Sequence, residues 1–72
     1  MKYDFHEHTL EEALNKAHEI IGNVRLRGIP VDAEFIVGHG VIRNELNHLL
    51  ADYGLTPTIK LGNAGVILCH IE

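Results

Sequence analysis

Apolar residues recur with two different periods along this chain, and each change of period marks the border of an element. Lys2 to His8 alternates, with Tyr3, Phe5 and Glu7 on one face and Asp4, His6 and His8 on the other, which predicts a strand whose aromatics point inward. From Thr9 the spacing becomes helical. Thr9 and Glu12 make a T-x-x-E capping box, and Leu10, Ala13, Leu14, Ala17, Ile21 and Val24 form one apolar stripe. Gly28, backed by Pro30, predicts the stop. Gly22 lies inside this helix at a cost of about 1 kcal/mol relative to alanine, so it marks either a thinly stable turn or a closely packed neighbour.

Val31 to Val37 predicts a second strand, which runs into Gly38-His39-Gly40 and then at once into a second helical pattern. Ile42, Leu46, Leu49, Leu50 and Tyr53 fall on one stripe of that helix, and Gly54 ends it. Leu55 to Leu61 predicts a third strand, with Pro57 near its start as befits an edge. After the Gly62-Asn63 turn, Ala64 to Ile71 is a nearly unbroken apolar run that predicts a central strand. The order is therefore βαβαββ: an α/β two-layer sandwich in one domain, residues 1–72, with a mixed four-stranded sheet and two helices. Strand–helix–strand connections favour a parallel pair, and the last two strands read as a hairpin.

Composition narrows the class of protein. Residues are 46% hydrophobic and 22% charged, enough apolar material for a core and too little charge for disorder. Six Lys plus Arg against ten Asp plus Glu give a formal charge of −4, which argues against an indiscriminate grip on nucleic acid through a basic surface. The distribution matters more than the sum: the acids gather in the first helix at Glu11, Glu12 and Glu19, whereas Arg25, Arg27, Arg43 and Lys60 lie away from them along the chain. The single cysteine, Cys69, allows no disulfide framework and no thiolate zinc site, and reads as a small buried hydrophobe. No apolar leader or membrane-length run is present, which predicts a cytoplasmic chain with no membrane partner.

The candidate chemistry lies in the six histidines. In Asp4-x-His6-x-His8 strand alternation sends all three side chains to one face, where Asp4 orients His6 or the histidines hold a metal; the bland alternative is the polar end of a first strand. Zinc takes roughly three or four protein ligands. His39 is the candidate to complete a transition-metal set of His6, His8 and His39, because it tips the neighbouring strand where open α/β sheets place their sites. Gly38, His39 and Gly40 form a tight loop at a helix start, a place that attracts phosphate, and Arg43 follows in the first turn. His18 and His48 read as solvent-facing on helix flanks, and His70 as a residue of the last strand.

Taken together, three segments resemble the Smr (small MutS-related) domain family. Tyr3-Asp4-Phe5-His6-Glu7-His8-Thr9, followed by Leu10-Glu11-Glu12-Ala13-Leu14, resembles the family's L-D-x-H-G segment and helix start, with Glu7 in place of the glycine. Val37-Gly38-His39-Gly40, followed by Arg43, is similar to its H-G-x-G loop, with Val37 in place of the histidine. Gly62-Asn63-Ala64-Gly65-Val66 matches its G-x-A-G-V turn. The resemblance covers nearly the whole chain in order. It implies a two-layer βαβαββ domain similar to the C-terminal domain of translation initiation factor three, nucleic-acid binding, and for many members endonuclease activity on DNA or RNA, with or without a metal such as Mg²⁺ or Mn²⁺.

Two readings of the site follow, with a third beside them. As an endonuclease, the chain uses Asp4, His6 and His39 for catalysis and Gly38, His39, Gly40 and Arg43 to hold the phosphate of DNA or RNA. As an interaction module, the same loop and helix end bind nucleic acid or a protein partner without chemistry. The third reading, a transition-metal-binding protein, rests on His6, His8 and His39.

Overall fold

The computed structural model describes residues 1–72. Its elements are β1 (Lys2–Asp4), α1 (Leu10–Arg27), β2 (Val31–Ile36), α2 (Val41–Asp52), β3 (Thr58–Ile59) and β4 (Val66–Ile71). They form a mixed four-stranded sheet in the order β1-β2-β4-β3, with both helices packed on one face. β1 runs parallel to β2, while β4 runs antiparallel to both β2 and β3. The predicted α/β sandwich is therefore the observed one, and the apolar run of β4 does lie centrally.

The core is a layer between sheet and helices. β2 directs Ala33 and Phe35 toward the helices, with Val37 just beyond its end, and turns Asp32 and Glu34 outward; β4 directs Ile67, Cys69 and Ile71 inward. In register, Ala33 faces Cys69 and Phe35 faces Ile67, so the two central strands supply one continuous apolar wall. Burial in this wall pushes the Cys69 thiol above its ordinary pKa, as expected for an inert structural cysteine. Phe35 is fully buried, with the Tyr3 ring at 5.5 Å and the Phe5 ring at 5.7 Å.

Against this wall lie Ala13, Ala17, Ile20, Ile21 and Val24 of α1 and Leu46 and Leu50 of α2. Ile20 replaces Leu10 and Leu14 in the expected stripe, because the spacing 13, 17, 20, 21, 24 follows the contact line along the helix; Leu10 and Leu14 are only half-buried. Ile42, Leu49 and Tyr53 flank the core as predicted. The capping box is complete: Glu12 N–H donates to Thr9 Oγ1 at 3.2 Å, and Thr9 N–H donates to Glu12 Oε1 at 2.9 Å. That second bond holds the Glu12 carboxyl below its usual pKa. At the other end Gly28 adopts φ 74° and donates its N–H to the Val24 carbonyl at 3.0 Å.

All four strands are shorter than predicted: β2 ends one residue early, β4 begins at Val66 because Ala64 and Gly65 belong to the turn, and the two larger losses each have a local reason. β1 stops at Asp4 because the Asp4 carboxylate accepts the His6 N–H at 3.1 Å and the Phe5 carbonyl accepts the His8 N–H at 3.0 Å, which closes a turn. β3 shrinks to Thr58–Ile59: Pro57 offers no N–H, and Leu55 N–H turns back to the Leu50 carbonyl at 3.1 Å to wrap the end of α2. Across the outward face, Glu34 joins both edges of the sheet, bonding Lys60 at 3.0 Å and Lys2 at 3.4 Å, and these ammonium groups lower its pKa. No helix is long and apolar enough to cross a membrane.

Gly22 is exposed, and a Cβ added there meets nothing within 4 Å. No close neighbour requires it, so the glycine only weakens the helix. Gly22→Ala is expected to raise stability by about 1 kcal/mol, measured by urea unfolding with an unchanged m-value.

Candidate functional site

The topology gathers three chain reversals at one rim of the sheet. β1 and β2 are parallel, so their C-terminal ends share that rim, and antiparallel β4 begins there. The rim therefore carries the Asp4–His8 turn, the Gly38–Gly40 loop with the start of α2, and the turn leading into β4.

The first reversal contains an assembled Asp–His dyad. His6 Nδ1 is hydrogen-bonded to Asp4 Oδ1, and His6 Nε2 lies 3.6 Å from Glu7 Oε1. Because Asp4 Oδ1 also accepts the His6 backbone N–H, the carboxylate sets both the main chain and the ring of the residue two positions on. The side-chain hydrogen bond is the main cause that raises the His6 pKa above 6.5 and lowers that of Asp4 below 3.8. With Nδ1–H directed at the carboxylate, a neutral His6 presents Nε2 as its acceptor. His8 takes a different part: its ring packs edge-on against Phe5, 5.4 Å between centroids.

The second reversal is anchored to the third. Val37 and Gly38 both donate their N–H groups to the Gly65 carbonyl, at 2.8 and 3.1 Å. Gly38, at φ 69°, is left-handed as the tight turn requires, but its amide is engaged rather than open to an anion. The free donors lie one step on, at the start of α2, where Gly40 is the N-cap, no side chain caps the helix and the first turn holds no acid. Arg43 sits in that turn and donates from Nη1 to the Ala64 carbonyl at 3.3 Å. The His39 ring lies over Gly65.

Not all the expected groupings form. The metal set is corrected: no group of three or more His, Cys, Asp or Glu is placed to hold a metal ion, so His6, His8 and His39 do not form one. The physical reason is that each ring has its own seat, His6 on Asp4, His8 on Phe5 and His39 on Gly65. The other histidines lie outside the rim. His18 Nδ1 is hydrogen-bonded to the Tyr53 hydroxyl at 2.5 Å, and His70 Nδ1 to Asp32 Oδ1 at 2.7 Å, which raises the His70 pKa. The residues that single-residue chemistry missed are Ala64 and Gly65. They contribute carbonyls and space rather than reactive side chains, and the G-N-A-G turn was their only signal.

The rim is not a cavity. The largest groove, about 780 Å³, lies on the open sheet face among Lys2, Asp32, Glu34, Thr58 and His70, toward the opposite end of β2 and β4. A dyad, an imidazole and a guanidinium on an open rim suit an extended ligand better than a small enclosed one. No protein-family model, curated protein or solved structure matches the chain.

The dyad makes pH-dependent behaviour testable. His6 has a raised pKa, so its share of the stabilisation is complete below 6.5 and fades as pH climbs through the raised value. Asp4 has a lowered pKa, so its share is complete above 3.8 and fades as pH falls through the lowered value. Asp4→Asn is expected to bring the His6 titration back down toward 6.5 in an NMR pH series, and to lower Tm most between those two values. An unmoved His6 titration would remove the dyad.

Proposed function

We propose that this chain is an Smr-like nucleic-acid-binding domain that hydrolyses phosphodiesters, with His6 as its general base. The observation that carries this reading is the Asp4–His6 dyad at the rim. Phosphodiester hydrolysis needs a group to take a proton from water and positive donors for the charge that builds on phosphate. His6 supplies the first: Asp4 fixes its tautomer, raises its basicity and leaves Nε2 to accept the proton. Arg43 and the uncapped start of α2 supply the second, on the same rim. His39 stands as the proton donor to the leaving oxygen. The motif order shared with the Smr family supports the reading, and the open form of the rim suits a polymer whose phosphates pass across it. The net charge of −4 is compatible with this, because the first turn of α2 carries Arg43 and no acid.

The test combines cleavage and gel-shift assays on single-stranded, duplex and branched DNA and RNA, with and without Mg²⁺ or Mn²⁺. His6→Ala is expected to abolish cleavage while circular dichroism stays native and Tm falls no further than in Asp4→Asn. Arg43→Ala is expected to weaken binding and to reduce the salt slope of the affinity by about one. Binding without cleavage in the wild type would remove the catalytic role and leave an interaction module; neither binding nor cleavage by the folded protein would overturn the reading as a whole.

A further inference from the structure

Of the seven glycines, Gly65 alone is hemmed in. A Cβ built on it would lie 3.1 Å from both Cδ2 and Nε2 of His39 and 3.3 Å from the Cα of Gly38. Gly65 is not among the glycines with positive φ, so its backbone conformation is open to other residues. Space rather than backbone conformation restricts this position, and its nearest occupants are the His39 imidazole and, slightly farther, the Gly38 backbone. Gly65 is also buried and pinned on both sides: its N–H donates to Asn63 Oδ1 at 3.1 Å, and its carbonyl accepts from Val37 and Gly38. One residue earlier, the Ala64 carbonyl accepts Arg43 Nη1.

A single turn thus seats two cationic or cation-capable side chains that come from different segments. The Cδ2–Nε2 edge of His39 rests on Gly65, which leaves the Nδ1 edge facing away. Arg43 uses one nitrogen on Ala64 and keeps its other donors for a ligand. Guanidinium groups bind phosphoryl oxygens through paired N–H donors, and an imidazole beside one adds a donor of its own. We propose that Asn63-Ala64-Gly65 is a positioning platform, holding the His39 ring on Gly65 and the Arg43 guanidinium on Ala64 as a cradle for one phosphoryl group of a nucleic acid. The nature of that ligand rests on the nucleic-acid reading above; the seat for His39 does not.

The test is a double-mutant cycle of Gly65→Ala and His39→Ala, read both by thermal unfolding and by gel-shift affinity for a single-stranded RNA and its DNA counterpart. A Cβ at position 65 crowds the His39 ring most closely, so Gly65→Ala is expected to lower Tm by more when His39 is present than in the His39→Ala background, where only the 3.3 Å approach to the Gly38 Cα remains. The His39 ring resonances should also move in the Gly65→Ala protein. Affinity should fall in both single variants and in the double variant by factors that agree within about twofold, because residue 65 reaches the ligand mainly through the ring. Should Gly65→Ala alone fail to fold, recovery by His39→Ala supports the seat and failure to recover overturns it. Equal Tm losses in both backgrounds, with ring resonances unmoved, likewise overturn the seat. A positive Tm cycle with affinity unchanged in all three variants upholds the seat and overturns the cradle. A positive Tm cycle with no binding by the wild type removes the nucleic-acid reading, and the cradle with it.

Discussion

Everything in this small fold hangs on the antiparallel ladder between β2 and β4. Its six residue pairs join segments separated in sequence by the whole of α2 and β3, while β1 pairs only with β2 and β3 only with β4. The wall against which both helices pack consists mainly of the inward residues of these two strands, with Ala33 opposite Cys69 and Phe35 opposite Ile67. Both helices bury their apolar stripes against that wall. Long-range pairing of this kind is entropically costly to close. A chain of 72 residues with one core layer has little redundancy against its loss.

The same ladder explains where the chemistry sits. Past its last pair, β2 remains tied to the start of β4 by two N–H groups that converge on the Gly65 carbonyl. This tie holds the glycine loop against the G-N-A-G turn, so residues far apart in sequence meet on a short stretch of backbone. The dyad arises by a more local route, since Asp4 and His6 are two residues apart and their pairing is part of the turn that ends β1. A side-chain carboxylate that terminates a strand also orients an imidazole. Structure and candidate function thus share one atom, Asp4 Oδ1.

Periodicity read most of this architecture directly from the sequence. Both helices, their ends, the parallel first pair and the central last strand follow from apolar spacing, one capping box and a few glycines. The misjudged parts depend on contacts that periodicity does not encode. Lys2 to His8 alternates cleanly, yet the strand ends at Asp4 because side-chain-to-backbone bonds compete with the ladder. Leu55 to Leu61 looks like a strand, but its first residues close the end of α2. At the rim, spacing offered the Asp4–His6 pairing as one of several readings, and the pair forms in a turn rather than on a continued strand. The separation of His6, His8 and His39 was not legible, because alternation gives the face on which a side chain starts and not the surface that captures its ring. The apolar run placed Gly65 in the last strand and only the G-x-A-G-V resemblance placed it in a turn, while its role as a space for His39 required the fold.

The abbreviated edge strands carry one more consequence. β1 offers three residues and β3 two, and each edge bears a lysine that reaches across the outward face to Glu34. Exposed strand edges are templates on which further chains add, and short edges guarded by lysine are how natural sheets resist that addition. The two six-residue strands are both held in the interior of the sheet, among them β4, whose nearly unbroken apolar sequence stacks most readily into fibrils. The architecture therefore protects against amyloid-like growth by placement: what is sticky is central, and what is peripheral is too short and too charged to propagate.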